Sequence, residues 1–117
     1  TLAAEQLLAR SVASVAAEWD PVAPRLLELV GRGERVASVA DALGWSERQL
    51  HRRSLAAFGY GPKVLQRVVR FDRAVRLARR DRAAGLASVA YEAGYADQAH
   101  LAREVKAMAG VPMTALL

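Results

Sequence analysis

Cysteine is absent from the 117 residues. That excludes a disulfide framework, a thiolate metal site and a thiol nucleophile. Aromatic residues make up only 6% of the chain, and no segment sustains two-residue alternation, so no sheet is expected. No apolar run approaches the ~18 residues needed to cross a membrane. The N-terminus lacks the basic-then-apolar layout of a signal peptide. A soluble, cytoplasmic chain with no membrane partner is expected. Histidine occurs only at His51 and His100, far apart and without metal-ligand spacing, so no metal site is expected. The glycine-bearing stretch "GRGER", residues 31–35, lacks the Lys-Ser/Thr of a phosphate loop. Neither an enzyme nor a bound cofactor is expected.

Apolar residues are plentiful at 53%, and Ala, Leu and Val dominate them. Such a composition suits closely packed helices. The length fits one compact domain, or two very small units sharing a helix. The chain opens on Thr1 rather than methionine, and it is expected to be part of something longer.

The net charge of +5 is unevenly spread. Residues 1–45 carry four arginines against six acids, and residues 83–117 carry two basic residues against three acids. Residues 46–82 carry eleven Lys and Arg against three acids, net +8. A clustered basic stretch is an electrostatic footprint for polyanions, although a solvated helix face would look the same.

Punctuation divides the chain into helices. Leu8, Val12, Val15 and Trp19 form an apolar stripe that predicts a helix over 2–19. It would serve as a linker, a dimerisation surface, a docking element for a domain outside this sequence, or simple packing against the first subdomain. Asp20-Pro21 reads as an N-cap followed by proline at the first helical position. Leu26, Leu27 and Val30 supply the buried face of that next helix. Further helices are predicted at about 36–43, 46–58, 63–80, 86–93 and 97–108. "GRGER" and "GYGP" break the chain between them, and Gly110 with Pro112 stops the last.

Two stretches fifty residues apart match. Ala37-Ser38-Val39-Ala40 corresponds to Ala87-Ser88-Val89-Ala90, Gly44 to Gly94, and Trp45 to Tyr95. Beyond this point the second copy carries one extra residue, so Leu50 corresponds to Leu101, Arg52 to Arg103 and Gly59 to Gly110. In each copy a small alanine stands four residues before a glycine, which can take positive φ at a sharp turn. Apolar residues pin the corner, and Ser46 is a good N-cap for the helix that follows. This is the pattern of a helix-turn-helix, at about 36–58 and again at about 86–108.

Residues 22–117 resemble the C-terminal DNA-binding domain of AraC/XylS-type transcription regulators. The stretches "VADALGWSERQLHR", "GYGPKVLQRVVRFDRAVRLAR" and "VAYEAGYADQAHLAREVKAMAGVP" carry the resemblance. The most specific run is Gly94-Tyr95, Asp97-Gln98, His100-Leu101 and Arg103, ending in Gly110-Val111-Pro112. The resemblance implies an all-α, homeodomain-like fold, with two helix-turn-helix subdomains joined by a long linker helix. Residues 1–20 would be an N-terminal helix or linker, and residues 21–117 the AraC-type domain. The implied function is sequence-specific regulation of transcription. The implied partners are double-stranded DNA, RNA polymerase and an effector domain outside this sequence. The chain departs from the family pattern at Ser54 and Val105, where a large apolar residue is usual, and at Leu116, where an aromatic is usual. Pro112-Met113 also replaces the usual Ser-Pro order.

Recognition helices insert their N-terminal part into the major groove. With Leu50 turned inward, Arg48, His51 and Arg52 share the opposite face. Arginine suits guanine O6 and N7. With Leu101 turned inward, Gln98, Ala99 and Arg103 occupy the matching positions. Glutamine can pair with adenine, and alanine can touch a thymine methyl. These six are the expected base contacts. Ser46, Arg53, Lys63 and Arg67 are the expected phosphate contacts, while Arg70 and Arg73 are alternatively paired internally. Eighteen residues of linker helix at ~1.5 Å each would space the two readers about one turn of B-DNA apart. The alternative function is a helical adaptor that binds protein through the basic face.

Overall fold

The structure, a computed structural model, describes residues 21–117. The helix expected over 2–19 and the cap expected at Asp20 lie outside the described residues. Six α-helices follow in order: α1 (Ala23–Gly31), α2 (Val36–Leu43), α3 (Glu47–Phe58), α4 (Pro62–Arg80), α5 (Leu86–Ala93) and α6 (Gln98–Ala109). A short 3₁₀ helix, Met113–Leu116, closes the chain. No strand occurs among the described residues. The all-helical expectation holds, and five of the helices fall within a residue or so of their predicted places.

The first helix departs from expectation. It begins at Ala23 behind Val22, with a proline, Pro24, in its opening turn. Pro21 lies before it in a turn. Both prolines suit the start of a helix because the first N–H groups have no intrahelical partner. Burial of Ala23 selects between them, since a helix starting there seats Ala23, Leu26, Leu29 and Val30 on one inward face.

The chain divides into two compact units, with the boundary between Val69 and Arg70. In the first unit, α1 supplies Leu26, Leu29 and Val30, α2 supplies Val39 and Ala40, and α3 supplies Leu50 and Phe58. The start of α4 adds Leu65. The carboxamide of Gln66 donates to the carbonyl of Glu34, fastening α4 to the loop after α1. Ser54 is fully buried, and its hydroxyl donates to the carbonyl of Tyr60 at 2.7 Å. A polar pin therefore stands where the family usually has a large apolar side chain. It satisfies a turn carbonyl that would otherwise cost about 1–3 kcal/mol if buried unpaired.

In the second unit, Phe71, Ala74, Val75 and Ala78 of α4 pack with Val89, Ala90 and Ala93 of α5, with Tyr95, and with Leu101 and Val105 of α6. Val105 is fully buried, so the smaller residue there still fills a core position. The 3₁₀ helix adds Met113. It is held by Arg79, whose Nε and Nη2 both donate to the carbonyl of Leu116, at 3.2 and 3.0 Å. Nothing local in the sequence signals this last element.

The two units repeat one corner. Gly44 and Gly94 take φ of 72° and 96°. The Trp45 N–H donates to the Ala40 carbonyl, and the Tyr95 N–H to the Ala90 carbonyl, each at 2.9 Å. The glycine N–H groups reach Asp41 and Tyr91 at 3.1 and 3.2 Å. This is the Schellman motif in both copies. A side chain at this φ costs roughly 1–2 kcal/mol. Gly94→Ala should therefore lower the unfolding free energy by about 1–2 kcal/mol in urea denaturation.

Candidate nucleic-acid interface

Both second helices of the repeat are capped by their own side chains. In α3, Ser46 Oγ accepts from the Gln49 N–H at 3.1 Å, and Gln49 Oε1 accepts from the Ser46 N–H at 3.0 Å. This reciprocal capping box satisfies two backbone donors. In α6, the cap is Asp97, whose Oδ1 accepts from the His100 N–H at 2.7 Å. The extra residue of the second copy is Ala96, in the turn between Tyr95 and this cap. Leu50 and Leu101 both point inward, and each is almost wholly buried.

The opposite faces are open. Arg48, His51 and Arg52 are exposed on α3, and Gln98, Ala99 and Arg103 are exposed on α6. Within each unit the structure therefore brings its expected base-contacting residues onto one exposed stretch of helix. His51 has an additional constraint. A Cβ built on Gly61 would lie 2.9 Å from His51 Cε1 and 3.1 Å from Nδ1. The imidazole thus lies close against the Gly61 turn, and a side chain at 61 would push the exposed ring aside. The expected phosphate contacts Ser46, Arg53, Lys63 and Arg67 are also exposed. Ser46 is already engaged as the cap of α3.

A guanidinium covers each corner aromatic, but from a different source. Arg53 of α3 lies 4.8 Å from the ring centroid of Trp45. Arg70 of α4 lies 5.0 Å from that of Tyr95. The position on α6 matching Arg53 is Glu104, whose side chain is only 5% exposed. Arg70 Nη2 reaches both Glu104 oxygens, at 3.3 and 3.2 Å. Arg70 is therefore an internal counter-ion in the second unit. Arg76 is likewise held by Asp72 at 2.8 Å, and Arg79 by the Leu116 carbonyl. Arg70 and Arg76 on the later part of α4 are thus paired with acids within the second unit. In the first unit Arg48, Arg52, Lys63 and Arg67 are exposed.

The Arg70–Glu104 pair was open to sequence reasoning in part. Glu104 falls between Leu101, Val105 and Met108 on the inward stripe of α6, where an acid is out of place unless paired. Its partner lies 34 residues away, so no local pattern names it. Breaking such a pair by removing one member costs several kcal/mol when both are buried. Here the cost is smaller, because the Arg70 side chain is 26% exposed.

Burial raises the Tyr95 phenol well above the usual tyrosine range, and the Glu104 charge pushes the same way. Arg70 opposes both with a smaller effect. A raised folded-state value means that the folded protein keeps a proton that the unfolded chain releases from about pH 10 upward. The resulting stabilisation is complete below pH 10 and is lost as pH rises further. Unfolding free energy should therefore fall with pH above about 10, and Tyr95→Phe should make that fall shallower in alkaline denaturation curves.

Among the described residues, no helix is long and apolar enough to cross a membrane. No curated protein and no solved structure matches the chain. A family model described as a helix-turn-helix domain matches residues 39–117, from the first buried valine of α2 through the 3₁₀ helix. That span contains both corners, both capped helices and all of α4. The chain belongs to the AraC-type helix-turn-helix family, whose members are DNA-binding regulators of transcription.

Proposed function

We propose that the protein is a sequence-specific regulator that inserts α3 and α6 into adjacent major-groove segments of double-stranded DNA. Arg48, His51 and Arg52 read one segment, and Gln98, Ala99 and Arg103 read the other. Ser46, Arg53, Lys63 and Arg67 fix the register through phosphates. The observation that supports this most is the repeat itself. Two helices stand behind matching Schellman corners, each with an N-terminal cap, an inward leucine and an open polar face. Capped N-termini and exposed polar side chains are what a recognition helix presents to base edges. RNA polymerase and an effector domain outside this sequence complete the regulatory role, which is exercised in the cytoplasm.

The two readers differ in chemistry. The α3 face is arginine-rich and suits guanine, while Gln98 and Ala99 suit adenine and a thymine methyl. A single chain reads a non-palindromic site, with its two base segments about one helical turn apart. Selection of bound sequences from a random pool should return such a bipartite site. Arg52→Ala and Arg103→Ala should each cost about 1–3 kcal/mol on that site and relax preference only within one segment, a different one for each variant. Loss of preference at the same bases by both variants would refute two separate readers. Affinity should fall steeply with salt, by about 0.9 log unit per log unit of salt for each phosphate neutralised. Arg67→Ala should weaken all sequences alike and make that slope shallower by about 1. A protein-binding adaptor using an apolar helix contact would show no such slope.

A further inference from the structure

We infer that His100 is a positioning residue for α6: its neutral imidazole takes the place that Gln49 occupies in α3, and fixes the entry of the second recognition helix. The inference rests on the DNA-binding proposal for its functional consequence and on geometry for its mechanism.

Gln49 and His100 are the third residues of their helices and correspond in the repeat. Gln49 reaches back to the backbone N–H of Ser46. In the second copy, Ala96 lengthens the turn by one residue. The donor served there is the N–H of Ala96, one residue before the cap, which bonds His100 Nδ1 at 3.4 Å. The His100 backbone N–H meanwhile donates to Asp97 Oδ1 at 2.7 Å. Together these resemble a capping box shifted by one residue, with an imidazole in place of the usual carboxamide or carboxylate and the N–H before the cap as its donor.

The ring is held from two further directions. Its Nε2 lies 3.5 Å from Glu104 Oε2 on the same helix. The Tyr95 ring meets it edge-on, with centroids 5.1 Å apart. Arg70 of α4 faces the same cluster through Glu104 and Tyr95. Because Nδ1 accepts from Ala96, the ring proton of the neutral form belongs on Nε2, pointing toward Glu104. A second proton can go only to Nδ1. It would set donor against donor at the Ala96 N–H and place a positive charge at the N-terminus of a helix. Glu104 favours that charge, but it already binds Arg70 and does not restore an acceptor for Ala96. Protonation therefore removes the imidazole's part of the cap, while Asp97 keeps the His100 N–H. The cap of α3 has no such dependence, since a carboxamide does not titrate.

Gln98 and Ala99 stand in the first turn of α6, so fraying of that turn misplaces them directly. Preference in the segment read by α6 should be weaker with the ring protonated than with it neutral. His100→Gln should retain that segment's affinity at pH 8 and lose its extra pH dependence. His100→Ala should bind that segment about 3- to 10-fold more weakly than the wild type at pH 8, and the two should converge at pH 5.5.

The full chain and a site selected with it at pH 8 are compared at pH 8 and 5.5 for the wild type, His100→Gln and His100→Ala. His51 is present in all three, so the difference between variants isolates His100. In parallel, the backbone amide of Ala96 is followed by NMR across the same pH range without DNA. It should shift with the His100 ring in the wild type and stay still in His100→Gln. If the Ala96 amide ignores the ring titration, or His100→Gln behaves like His100→Ala on DNA, the inference is wrong. If the amide follows the ring but no sequence is preferred over random DNA, the positioning role stands and the DNA-binding proposal fails.

Discussion

The fold turns on a backbone conformation that side chains resist. At Gly44 and Gly94 the chain leaves one helix in the left-handed region and closes two hydrogen bonds over the corner. Everything downstream is aimed by that step. The corner aromatic lands against the core, and the next residue or two becomes a cap. The following helix then emerges with its leucine inward and its polar face outward. A different exit angle would leave Leu50 or Leu101 without a core to enter, at a cost of the order of the 2–5 kcal/mol typical for a buried leucine.

What was legible in the sequence is what is encoded locally. Alanine four residues before glycine and an aromatic after it specify each corner within ten residues, and the corners stand where they were expected, whereas the Asp97 cap of the second copy emerged only with the structure. Ser46 and the inward leucines followed from the same spacing. The start of α1 was less legible because Pro21 and Pro24 both suit a first turn, and only burial of Ala23 decides between them. The 3₁₀ tail was invisible because its anchor, Arg79, lies 37 residues upstream of the carbonyl it holds. Arg70 was readable as paired or free, and its partner came only with the fold. The fit of His51 against Gly61 left a trace in "GYGP", where a glycine precedes a proline, but glycine there reads equally well as ordinary turn chemistry.

The two copies also show how a duplicated unit diverges without losing its geometry. Each corner aromatic keeps a cation over its face. In the first unit that cation belongs to α3 and remains exposed. In the second it comes from α4 and is neutralised by Glu104 beneath it. The packing requirement is met twice, while the surface charge is kept only once. The helix with fewer cations carries the glutamine and the small alanine, whose proposed contribution to recognition would depend more on placement than on long-range attraction.

Arg79 grips Leu116 by its carbonyl, an atom that every amino acid carries. Position 116 is thereby freed from any demand for a particular polar side chain, and its leucine need only cover part of the core. What the grip does fix is chain length. The count of residues between Gly110 and position 116 must bring that carbonyl to the guanidinium, so substitutions in this stretch are better tolerated than insertions or deletions. The same logic accounts for how an unusual Pro112-Met113 order can stand here: the tail is measured out more than it is spelled.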